Sequence, residues 1–131
     1  MGTRSTAHFV DSLDGEPEAI VYRHMDGYPA GAGADIELFL DEAQKLSDSR
    51  FGDPSYLAAK YVVWLARTFA PMPESRPLDF LSVGVITHDP GDIAYRYTIV
   101  CSGARPDVYV DALDGAGNQP LSGILQAAGL R

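Results

Sequence analysis

At 131 residues, 46% of them hydrophobic and 21% charged, the chain has the length and apolar content for one globular domain with its own core, which excludes whole-chain disorder. The formal net charge of −8 argues against general nucleic-acid binding and against docking on anionic membranes, because both need a basic footprint. A single cysteine, Cys101, excludes an internal disulfide and a cysteine-based zinc cluster; with no apolar run at the N-terminus, the expected setting is cytoplasmic.

In chain order, residues 1–5 are polar and expected to fray. Residues 7–13 read as a short strand, Asp14-Gly15-Glu16-Pro17 as a turn, and residues 19–25 as the second arm of an antiparallel hairpin. Ile20, Tyr22 and His24 fall on one face of that arm, Val21 and Arg23 on the other. Asp26-Gly27-Tyr28-Pro29 then breaks the strand. A first helix is expected from Ala34 or Asp35, on the spacing of Ile36, Phe39, Leu40, Ala43 and Leu46. Asp53 as N-cap and Pro54 at the first helical position open a second helix, which runs to Ala70. Its apolar residues, Leu57, Ala58, Tyr61, Val62, Trp64, Leu65 and Phe69, lie nearly all round and predict burial on more than one side. After a polar loop over residues 74–77, strands are expected at 80–87, 93–101 and 107–113, with turns at 88–92 and 102–106. Residues 114–118 form a glycine-rich loop, and Leu121, Ile124, Leu125 and Ala128 mark a short C-terminal helix. The order ββααβββα predicts one α+β domain over residues 1–131. Its antiparallel sheet of about five strands, joined by hairpins, packs on a helical pair plus the C-terminal helix.

Special residues are concentrated in 22–33, Tyr-Arg-His-Met-Asp-Gly-Tyr-Pro-Ala-Gly-Ala-Gly. Backbone N–H groups of Gly31 to Gly33, just ahead of a helix, would favour an anion. Arg23 could grip phosphate or carboxylate, His24 adds a switchable donor and Tyr28 a stacking face. With Asp26, these residues form a candidate site for a small anionic or nucleotide-like ligand. The competing reading is structural: Asp26 caps the turn, Arg23 pairs with a carboxylate and the glycines let the backbone bend. The glycine pattern matches neither a Walker loop nor a dinucleotide fingerprint, and no cofactor is expected. His8, His24 and His88 sit on different elements without metal-ligand spacing, so no metal site is assigned. Ser5, Ser12, Ser82 and Ser102 lack a nucleophile context, and no catalytic residue is assigned. A hydrolase with a site assembled from distant strands stays a third reading. Tyr95 and Tyr97, sharing a strand face, and Trp64 on the second helix form a candidate interface for a protein partner or a second copy in a homo-oligomer.

The run from Ile20 to Pro29, followed by Gly31 and Gly33, resembles the signature of a small family of bacterial and phage proteins of uncharacterised activity, Y-R-[HQ]-x-D-G-Y-P-x-G-x-G. Phe39-Leu40, Leu57-Ala58-Ala59 and Tyr95-Arg96-Tyr97 match later positions, so the resemblance spans residues 19–110. Met25 stands where a large aromatic is frequent and Ala32 where a histidine is usual. The resemblance implies a phage or prophage setting and no activity. The leading expectation is a non-enzymatic accessory protein acting through protein–protein contact, counter-defence included. The alternative is a protein that sequesters a small anionic ligand through the Arg23–Gly33 loop.

Overall fold

The computed structural model describes residues 2–69, 78 and 81–130. Among the described residues six strands form one sheet: β1 (Ser5–Val10), β2 (Ala19–Arg23), β3 (Val83–Ile86), β4 (Tyr95–Val100), β5 (Asp107–Asp111) and β6 (Asn118–Pro120). The helices whose bounds fall among the described residues are α1 (Ala34–Gln44), α2 (Pro54–Phe69) and α3 (Leu121–Ala127). The α+β class holds, but the sheet is mixed, not antiparallel. Its order is β3-β2-β1-β4-β5-β6, and the central pair β1–β4 is parallel while all other pairs are antiparallel.

Strand alternation explains the layering. Ala7 and Phe9 of β1, Val21 of β2 and Tyr97 and Ile99 of β4 point to one face, where they share a single core with all three helices. From α1 come Ile36 and Leu40, from α2 Leu57 and Leu65, and from α3 Leu121 and Leu125, each fully buried. Asp53 caps α2 as expected: its carboxylate accepts from the Tyr56 N–H and its carbonyl from the Leu57 N–H. The second helix is not enclosed on several sides, however. Val63, Tyr56 and Phe69 are exposed, so α2 has one buried face and one open to water.

The second departure concerns β3 and β4, expected as neighbours in a hairpin. They run parallel, with β2 and β1 between them. Residues 87–94 therefore cross the face of the sheet away from the helices, instead of making a tight turn. The crossing ends where the Ala94 N–H meets the Arg4 carbonyl and Arg4 pairs with Asp92. Residues 3–5 are consequently tied down, not frayed: Ser5 is buried in β1 and the Thr3 carbonyl accepts from Gly27. The sixth strand falls where the glycine-rich loop was expected to run straight into the last helix. The expected end of the second helix at Ala70, the polar loop over 74–77 and the start of a strand at Phe80 lie outside the described residues.

Candidate functional site

The stretch 22–33 leaves β2, turns and enters α1, and each of its special residues has a definite place. Arg23 points under the helices, where it is buried. Its Nη1 donates to Asp35 at 2.7 Å and its Nε to the Met25 carbonyl at 2.7 Å, and its guanidinium lies 4.9 Å from the centre of the Phe69 ring. His24, one residue on, points to the opposite face, where Nδ1 sits 2.8 Å from the Tyr22 hydroxyl. Arg23 and His24 therefore cannot converge on one ligand: strand alternation sends them to opposite faces of the sheet.

Asp26 takes a left-handed backbone, φ 56°, and accepts from the Tyr28 hydroxyl at 3.1 Å. That hydrogen bond to a carboxylate raises the Tyr28 phenol above its usual range. Residues Pro29–Gly33 form a π-helical turn that runs directly into α1. Gly31 and Gly33 are thus inside helical backbone, not ahead of it. Gly31 donates to the Tyr28 carbonyl and Ala32 to the Asp26 carbonyl. At Gly31 and Ala32 the free N–H cradle expected from the sequence is absent, because the backbone satisfies itself. Glycine is needed for room: a Cβ on Gly31 would lie 2.4 Å from the Asp26 carbonyl oxygen, and one on Gly33 2.9 Å from a Leu121 methyl. Of the six candidates, Arg23 and Asp26 share a cavity of about 200 Å³ with Met25, Phe69 and Ser82.

The three aromatic residues expected at an interface are largely inside the fold. Tyr97 is wholly buried and donates its hydroxyl proton to the Gly27 carbonyl at 2.7 Å. Trp64 is buried with its ring edge against Phe39. Tyr95 packs against the core, half-buried. Tyr97 presents no surface in this structure, because the sheet face it occupies is the one the helices cover, and Trp64 reaches the surface only at an edge lining a depression between α1 and α2.

The sequence reading missed two arrangements. On the outer face of the sheet, residues 87–94 carry Asp89 across to two strands at once. Its carboxylate meets His8 Nε2 of β1 at 3.1 Å and Arg96 Nη2 of β4 at 2.5 Å. Burial holds His8 below its ordinary pKa, although Asp89 pulls the other way. Burial would push Asp89 up, but the Arg96 hydrogen bond and the charges of His8 and Arg96 hold it below the usual carboxylate value. Both folded pKa values are depressed, so both groups stabilise the fold at neutral pH and lose that contribution on acidification. Stability should begin to fall as pH drops below 6.5, through His8, and fall again below 3.8, through Asp89. Urea unfolding across this range should show the first decline in the parent and a flatter profile in His8→Gln. An unchanged profile in that variant would mean His8 is not the titrating group.

The second arrangement is on the helical layer. An apolar groove between α1 and α2 is lined by Phe39, Ala43, Leu46, Val63 and Trp64, with Lys60 and the Arg67–Glu42 ion pair at its rim. Val63 is 67% exposed, Tyr56 55% and Leu46 47%. Among the described residues no three of the His, Cys, Asp and Glu side chains group to hold a metal ion, and no helix is long and apolar enough to cross a membrane. Comparison with known protein families, characterised proteins and solved structures returns no match.

Proposed function

We propose that this chain is an accessory protein that works by binding another protein through the exposed face of α1 and α2. The observation that carries the reading is Val63. A β-branched apolar residue stands two-thirds exposed on the water-facing stripe of the longest helix, above a groove formed with α1. Such a patch, apolar at its centre and rimmed by charge, is the usual form of a protein-docking surface. The resemblance carried by residues 22–33 adds a phage or prophage setting, with counter-defence as a role within it. The anionic-ligand alternative has less support, because Arg23 is already neutralised by Asp35 and its cavity is shared with a second carboxylate, Asp26.

Val63→Asp tests the reading. The side chain is exposed, so the variant should unfold within about 1 kcal/mol of the parent. A protein that copurifies in stoichiometric amount with the tagged parent should be lost from Val63→Asp and kept by Leu113→Asp, an exposed site away from the groove. Retention by both variants, or loss from both, would overturn the assignment of the face.

A further inference from the structure

Resting on the helix-face reading, we infer the chemistry of the segment that docks there: it sets apolar side chains into the α1–α2 groove and places a carboxylate beside Lys60. The inference comes from how the cations of this chain are used. Every arginine among the described residues, Arg4, Arg23, Arg50, Arg67, Arg96 and Arg105, is ion-paired to a carboxylate of the same chain. The two lysines, Lys45 and Lys60, make no ion pair among the described residues. With a formal net charge of −8, the chain has carboxylates to spare, so an unpaired ammonium is a local exception.

Lys60 lies where that exception matters. It follows Tyr56 by four residues and precedes Val63 by three, which puts all three on one stripe of α2. It is half-buried and lines both the interhelical groove and the adjoining shallow depression formed with Tyr56, Ala59 and Val63. Its methylene stem extends the apolar surface while its ammonium stays at the rim. Lys45, at the C-cap of α1, does not line the groove, so Lys60 is the unpaired cation at this patch. A segment covering Val63 would desolvate the Lys60 ammonium, and a charge taken out of water without a partner costs several kcal/mol. A carboxylate in the docking segment removes that penalty and turns it into selectivity against basic or uncharged segments. The overall acidity of the chain would draw in basic partners, and Lys60 repels them at this one face.

A displayed library of random peptides, each about four helical turns long, selected against the full chain, tests this directly. Selected peptides should combine apolar residues with Asp or Glu and should lose binding to Val63→Asp. They should bind Lys60→Glu roughly tenfold or more weakly, a loss of about 1.4 kcal/mol, and bind Lys60→Arg nearly as well as the parent. Peptides that need Val63 but carry no acid, or that tolerate Lys60→Glu, would overturn the carboxylate inference and leave the face intact. Peptides indifferent to Val63→Asp, or none at all, would overturn the face itself. Sedimentation of the chain alone is the remaining arm. A dimer that dissociates on Val63→Asp would make a second copy the occupant and displace the foreign segment.

Discussion

Arg23→Ala should lower the unfolding free energy by about 3 kcal/mol, the low end of the cost of breaking a buried ion pair. The low end applies because the Asp35 side chain keeps 21% of its exposure, so its abandoned carboxylate is partly solvated. Three contacts are lost together: the Asp35 pair, the hydrogen bond to the Met25 carbonyl and the packing over Phe69. These link β2 to the first turn of α1 and to the last described residue of α2, so the loss is global. Urea unfolding should show a lower midpoint with an unchanged slope. Adding Asp35→Ala should recover part of the loss, because the orphaned carboxylate goes with it. A variant that keeps parental stability would instead mean that Arg23 is held in reserve for a ligand, and the cavity beside it would become the site to pursue.

The sequence carried this pairing as one of two readings, and the reason it could not choose is physical. Strand alternation is legible, and it correctly put Arg23 and His24 on opposite sides of β2. Which side the helices cover is decided by packing over the whole sheet. Helix signals were the most readable part: Asp53-Pro54 fixed the start of α2, and the spacing of Ile36, Phe39, Leu40 and Ala43 fixed the buried face of α1. Strand partners were the least readable. Residues 88–92, His-Asp-Pro-Gly-Asp, have the composition of a turn whether the chain reverses beside itself or crosses two strands. Taking the commoner course predicted a hairpin and hid the meeting of Asp89 with His8 and Arg96, which are 81 and 7 residues away. The groove at Val63 was half visible. The excess of apolar residues on α2 was read as all-round burial, when part of it is surface.

Tyr97→Phe should cost about 2 kcal/mol, more than removal of one hydroxyl usually does. The Tyr97 hydroxyl donates to the buried Gly27 carbonyl, so it closes the turn between β2 and α1 from inside the core. Phenylalanine fills the same volume, which excludes a cavity as the cause, but leaves the buried Gly27 carbonyl without that partner. Burial already pushes the Tyr97 phenol far above its usual range, the mark of a hydroxyl that stays protonated and donating. Tyr95→Phe is the control: that ring is half-buried and its hydroxyl makes no hydrogen bond among the described residues, so the change should stay within about 0.5 kcal/mol. Amide exchange localises the effect. In Tyr97→Phe the N–H groups of Gly27, Gly31 and Ala32, which close the same turn, should exchange faster than global unfolding alone explains. A loss confined to the global rate would mean that the π-helical turn holds itself. Its glycines would then be explained by the close contacts of Gly31 with Asp26 and of Gly33 with Leu121, without help from the tyrosine.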